Sequence, residues 1–149
     1  MKKNIMSNIK NVDHISLAVN NIKKGIYFYT NVFEYRVIFE EDNMTKQIQS
    51  ITGLKKISCN IVQLKSDFAG NKLELIEFKN YQSTNKEISH PLYPGCAHIG
   101  FIVKDLSKMI DIAIKYEARM LGEITNFETG KSVYFTEPSG TFFEMEELN

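Results

Sequence analysis

With 149 residues, 43% hydrophobic and 24% charged, the chain has the size and balance of one globular domain with a sizeable core. Eighteen Lys and Arg balance eighteen Asp and Glu. That leaves no basic footprint for nucleic acid or an anionic membrane. No apolar run approaches the roughly 20 residues that span a bilayer. The start, Met1-Lys2-Lys3-Asn4, has the charge of a signal peptide, but Asn8, Lys10, Asn11 and Asp13 interrupt any apolar stretch after it. Residues 1–10 are expected to form a polar tail. Two cysteines, Cys59 and Cys96, without zinc or redox spacing fit free thiols in the cytoplasm.

Residues 12–19 alternate, with Ile15, Leu17 and Val19 on one face and His14, Ser16 and Ala18 on the other, which is strand period. Asn21 has the character of a helix N-cap, and Ile22, Ile26, Tyr29 and Phe33 then fall at helical spacing. Strands are expected at residues 35–40, 58–64 and 72–78, the last after a turn at Phe68-Ala69-Gly70-Asn71. The polar stretch Glu41 to Ser50 is read as an insertion. Residues 79–96, with Pro91, Pro94 and Gly95, read as a surface linker.

The second half repeats this order. Residues 97–103 alternate, Asp105 takes the N-cap place, and Leu106, Met109, Ile110, Ala113 and Tyr116 line a helix. Strands are expected at 119–121, 133–136 and 141–146, with a turn at Pro138-Ser139-Gly140. His98 follows His14 by 84 positions and Glu144 follows Glu74 by 70, so the first half carries about 14 extra residues.

The repeat is chemical as well as structural. His14-Ile15-Ser16 matches His98-Ile99-Gly100, and Gly70 and Gly140 each precede a glutamate, Glu74 or Glu144, by four positions inside an apolar strand. Each residue alone is ordinary: a strand histidine is commonly exposed, and a glutamate commonly sits on a solvated sheet face. Two histidines and two glutamates at equivalent positions point instead to the ligands of one divalent metal. By strand parity they lie on the faces away from the helices, while Ile15, Leu17, Ile99 and Phe101 are expected to pack against the helices. His90 has no counterpart in the other half and is a minor candidate for a substrate contact. Arg36 and Arg119 are read as surface residues, and Glu77, Glu146 and Glu147 as solvated strand ends.

Val12-Asp13-His14-Ile15, Lys72-Leu73-Glu74-Leu75, Ala97-His98-Ile99-Gly100-Phe101 and the run from Tyr134 through Gly140 to Met145 carry a resemblance to the vicinal oxygen chelate superfamily. That superfamily includes glyoxalase I, methylmalonyl-CoA epimerase, extradiol dioxygenases and bleomycin- or fosfomycin-resistance proteins. The resemblance implies an α+β fold: two tandem βαβββ modules, over 11–78 and 97–147 within the single domain 1–149, form a cup-shaped mixed sheet with helices outside. It implies His14, Glu74, His98 and Glu144 as ligands of one Ni²⁺, Co²⁺, Mn²⁺, Fe²⁺ or Zn²⁺ ion, with Glu144 and then Glu74 as candidate bases. The implied activity is that of a lyase or isomerase of the glyoxalase type, moving a proton through a metal-stabilised enediolate or enolate. The substrate would carry vicinal oxygens or an acyl-thioester, in a homodimer whose site closes within one chain or between two. An extradiol dioxygenase and a non-catalytic drug-binding protein are the alternatives. Glu137 stands where the family often has Asp, as an element of the turn.

Overall fold

The computed structural model describes residues 10–81 and 90–149. Most of the expected tail and the middle of the linker lie outside them. The elements run β1 (His14–Ala18), α1 (Ile22–Val32), β2 (Arg36–Met44), α2 (Lys46–Thr52), β3 (Ser58–Lys65), β4 (Lys72–Lys79), β5 (His98–Ile102), α3 (Leu106–Lys115), β6 (Arg119–Met120), β7 (Thr125–Phe127), β8 (Gly130–Thr136) and β9 (Phe142–Leu148). Among the described residues, no helix is long and apolar enough to cross a membrane.

The strands form two mixed sheets, ordered β1-β4-β3-β2 and β5-β9-β8-β6, with β7 also pairing β8. β1 runs parallel to β4 and β5 parallel to β9, while β2-β3-β4 and β8-β9 pair antiparallel. This is the tandem βαβββ pattern. β1 and β5 each end a sheet, with one hydrogen-bonded neighbour apiece.

The two major helices start where the sequence places their caps. Asn21 Oδ1 accepts from Lys24 N at 3.0 Å, and Asp105 Oδ1 from Lys108 N at 2.9 Å. One core joins both sheets and both helices: Leu17, Leu73 and Leu75 from the first module, Phe28 and Tyr29 from α1, Leu106 and Ile110 from α3, and Phe135, Phe143 and Met145 from the second module. The Phe33 and Phe101 rings stack across the modules with centroids 3.8 Å apart. Burying such a ring contributes about 1.5–3 kcal/mol. Phe28, which the periodicity did not place on the α1 face, is fully buried there and meets Phe143. Ile15 is the exception to strand parity: it lies on the free edge of β1 and remains 48% exposed, whereas Leu17 and Phe101 are buried and Ile99 packs partly against the core.

The joint between modules is polar as well. Asn20 N donates to Ser139 O at 2.8 Å, and Tyr29 Oη lies 3.2 Å from Thr141 Oγ1. A Cβ on Gly25 would come within 2.8 Å of Leu75 and 3.1 Å of Ser139, so only glycine lets α1 lie this close to both. Glu137 is buried and organises the β8–β9 turn. Its carboxylate accepts from Ser139 N at 2.6 Å, Thr141 Oγ1 at 2.6 Å and Thr141 N at 3.1 Å, and from Ser139 Oγ.

The stretch read as an insertion is ordered. β2 continues to Met44, through two irregularities in its register with β3, and α2 follows. Only Ile48 of α2 is buried, so the helix has no apolar stripe that periodicity could detect. It is fixed by a small second core of Ile48, Ile57, Cys59, Ile61 and Ile76, by Gln49 Nε2 donating to Ile57 O at 2.9 Å, and by Gly53 in the left-handed conformation, φ 71°, at its end.

Candidate metal centre

The register brings each histidine beside the glutamate of its own module. Ser16 pairs with Glu74 in the β1–β4 ladder and Gly100 with Glu144 in the β5–β9 ladder, which sets each histidine one strand over and two residues back from its glutamate, on the same face. His14 Nε2 lies 3.7 Å from Glu74 Oε1, and His98 Nε2 lies 3.4 Å from Glu144 Oε2. The glutamate side chains are only 13% and 16% exposed.

The four residues therefore come together as two pairs. Both sheets turn their other face into the common core, so the faces carrying the pairs point away from one another. Among the described residues, no group of three or more His, Cys, Asp or Glu is placed to hold a metal ion within one chain.

Each pair fits half of a metal centre. Two cis ligands at about 2.1 Å from a metal stand about 3 Å apart, close to the observed nitrogen–oxygen separations. The donor set of neutral imidazole and carboxylate suits a first-row divalent ion. His14 is also oriented for the task. Asp13 Oδ2 accepts from its Nδ1 at 2.9 Å, leaving Nε2 as the free donor toward Glu74. Lys72 Nζ holds the same Asp13 oxygen at 2.9 Å. The His14 and Lys72 bonds keep the Asp13 carboxyl below its ordinary value.

Two neighbours escaped the sequence reading. Gln63 lies opposite Glu74 in the β3–β4 ladder, and its Nε2 donates to Glu74 Oε2 at 3.1 Å. Tyr134 holds the matching position opposite Glu144, and its ring meets His98 edge-on with centroids 4.9 Å apart. Burial, and then the Glu144 carboxylate beside it, push the Tyr134 phenol upward. The signal was available in the repeat: each is the residue directly across the ladder from a candidate ligand.

The surroundings then diverge. Beyond Glu74 the first module presents Ile76, Ile61 and Cys59, covered by α2. The ladders put Glu41, Glu74 and Cys59 on this face, and burial, then the carboxylates of Glu74 and Glu41, push the Cys59 thiol up. The second module presents Glu146, Ser132 and Gly130 at the matching positions, beside a cleft of about 230 Å³ that Glu144, Glu146 and Ser132 help to line.

The remaining candidates have other places. Arg36 is exposed and pairs with Asp67 at 2.7 Å. Glu147 is more than a solvated strand end: its Oε2 accepts from Leu106 N at 2.6 Å at the start of α3, and Oε1 pairs with Lys131 at 3.1 Å. His90 and Arg119 line a larger cleft of about 740 Å³ with Lys24 and Glu137. None of the four ligand candidates is on its walls. A half-site open to solvent encloses little volume, so cleft size does not locate this chemistry.

Comparison with known proteins agrees with this fold. The sequence model of the Glyoxalase/Bleomycin resistance protein/Dioxygenase superfamily matches residues 11–145. A glyoxalase family protein from Bacillus cereus superposes with a TM-score of 0.82 at 17% identity, covering 97% of each chain. FosX, a fosfomycin resistance protein from Listeria monocytogenes, gives 0.63 at 18% identity, covering 95% of each chain. A point mutant of that FosX, complexed with Mn(II) and 1S,2S-dihydroxypropylphosphonic acid, gives 0.62 at 18% identity over 93% of this chain and 90% of that one. Comparison with curated proteins gives no match. At these identities the solved structures establish the shared fold. With tandem modules, a His–Glu pair on each, and a family match over nearly its whole length, the chain belongs to the glyoxalase/bleomycin resistance protein/dioxygenase superfamily.

Proposed function

We propose that two copies of this chain close two metal centres, each holding His14 and Glu74 of one copy and His98 and Glu144 of the other, and that the dimer is a lyase or isomerase of the glyoxalase type. The observation that carries this reading is the pair of equivalent His–Glu half-sites on faces that point apart, each beside a strand edge, β1 or β5, with room for a neighbour. A two-fold dimer that sets β1 of one copy near β5 of the other joins unlike halves twice. The Mn(II) and vicinal diol in the FosX mutant support a metal with oxygen ligands on this fold.

When bound, a divalent ion supplies Lewis acidity at a carbonyl oxygen of the substrate. The residues of the chain do the rest. Asp13 keeps His14 Nε2 turned toward the centre, and Gln63 holds one oxygen of Glu74. Glu144 is the first candidate, on the family resemblance, for the base that takes a proton from carbon next to the carbonyl, with Tyr134 beside it across the β8–β9 ladder. Glu74, bridged to a neutral amide, is the second candidate. Four protein donors would leave a six-coordinate ion room for two vicinal oxygens of a substrate. A dioxygenase needs further room for O₂.

The test is solvent-deuterium exchange into α-hydroxy-carbonyl thiol adducts and acyl-thioesters, without oxygen, with each candidate metal added. Exchange that needs metal and is slowed at least about a hundredfold by Glu144→Gln is expected. Oxygen uptake with a catechol and Fe²⁺, or tight drug binding without turnover, would overturn the reading.

A further inference from the structure

The face that carries His14 and Glu74 continues into an apolar floor. Phe39 pairs with Gln63 in the β2–β3 ladder, and Gln63 pairs with Glu74 in the β3–β4 ladder. Directly opposed residues share a face, so the Phe39 ring lies on the Glu74 side, two strand spacings or about 10 Å away. The ring is 44% exposed. Further along the same strands the face is closed by α2, which seats Ile48 over Cys59, Ile61 and Ile76. The open part of the floor is thus a short strip with the His–Glu pair at one end, a bare aromatic ring at the other and a helix as its side wall.

Cations border the strip on the side away from α2. Lys72 Nζ is paired with Asp13 at 2.9 Å, and Lys65 Nζ donates to Gly70 O at 3.2 Å. Glu41, opposite Ile61, adds a carboxylate. Between Glu74 and Phe39 the ladder places the neutral Gln63, so the strip itself sets no cation under a ligand and offers an apolar group a ring to lie on. The second module differs: Glu146 and Ser132 replace Ile76 and Ile61 there, and its exposed ring, Phe127, lies opposite Gly130, beyond those polar residues.

We propose that the strip from Glu74 to Phe39, walled by α2, receives the uncharged apolar body of a ligand whose paired oxygens reach the metal, so that Phe39 sets the substrate class as an aryl or alkyl compound and not a phosphonate. This rests on the metal-site reading. A ligand held by two oxygens at the metal has its third to sixth carbon at the distance of Phe39, where ring stacking and loss of apolar surface to water favour it.

The test uses Mn²⁺-loaded protein and hydroxamates, which present two adjacent oxygens to a metal. Acetohydroxamate, hexanohydroxamate, benzohydroxamate and phosphonoacetohydroxamate are titrated by calorimetry. Benzohydroxamate should bind about tenfold or more tightly than acetohydroxamate, with hexanohydroxamate between them. Phe39→Ser should reduce that preference to about threefold or less, leaving Mn²⁺ stoichiometry and acetohydroxamate affinity unchanged, and Phe39→Tyr should keep it. Equal affinities in the wild type, a preference that survives Phe39→Ser, or tightest binding of phosphonoacetohydroxamate overturns the proposal alone. So does weakened dimerisation of Phe39→Ser with its ligand preference intact, which would make the ring a contact between copies. If Mn²⁺ is not held, the same titrations are made with Ni²⁺, Co²⁺, Fe²⁺ and Zn²⁺, and failure to hold any of the five overturns the metal reading and this proposal with it.

Discussion

The two modules carry the same His–Glu pair in different settings. In the first, Asp13 fixes the histidine from behind, an amide holds the glutamate, and a helix covers an apolar floor. In the second, Ala97 stands where Asp13 would, a phenol accompanies the glutamate, and the floor is polar. A metal site needs its donors to match, so the pairs are alike. The walls need only to enclose one substrate between them, so they differ. On the proposed reading, orientation and apolar contact fall to the first half and proton transfer to the second.

The most severe way to break it is to remove one ligand. His14→Ala in the first module and Glu144→Ala in the second should each abolish stoichiometric metal, measured on protein purified without chelator. A centre drawn from one module alone would survive one of the two changes.

The turns offer the next contrast. In the second module the buried Glu137 gathers the β8–β9 turn, while in the first Ser66 takes that place with fewer bonds, Oγ accepting from Ala69 N at 3.2 Å and meeting the Tyr35 hydroxyl. Glu137→Ala should cost about 3 kcal/mol in denaturant unfolding, because several donors lose their acceptor at once. Ser66→Ala should cost about 1 kcal/mol. Equal costs would show that the turns are not specialised.

Asp13→Asn sharpens the contrast between the histidines. It should weaken metal binding about tenfold, with the dimer intact, because the His14 tautomer is no longer set by a carboxylate. In ¹⁵N spectra of the metal-free protein, His14 should move away from the form protonated on Nδ1, and His98 should not change.

The smallest effect concerns acid stability. Bonds from Leu106 N and then Lys131 hold the Glu147 carboxyl below its ordinary value of 4.5. A carboxyl lowered by folding stabilises the native state above its unfolded pKa, and that contribution is lost as pH falls through the folded value. Glu147→Gln should therefore narrow the stability difference between neutral pH and pH below 4.5, and leave acid stability itself little changed. Melting temperatures measured across that range check it.

Much of this was legible in the residues. Alternation placed the strands that carry His14, His98, Glu74 and Glu144, and Asn21 and Asp105 cap the helices as their side chains allow. Three things were hidden for physical reasons. α2 has one buried residue and is held by contacts to β3 and β4, which no local pattern records. β7 is three exposed residues paired to β8, too short for any period. The division of the ligands into two outward-facing pairs depends on how one core is shared between modules through Phe28, Phe33, Phe101 and Phe143. A sequence pattern shows that those rings are buried, and only the fold shows against what.

If each metal centre joins unlike halves of two chains, as proposed, complementation between defective chains must restore it. His14→Ala and Glu144→Ala chains carrying different tags are refolded or co-expressed together, and heterodimers are isolated through both tags. One centre of such a dimer receives both defects, while the other receives an intact first half from one chain and an intact second half from the other. The account predicts about one metal ion per heterodimer and none in either parent homodimer. Metal-free heterodimers, or a centre retained by either parent alone, would contradict it.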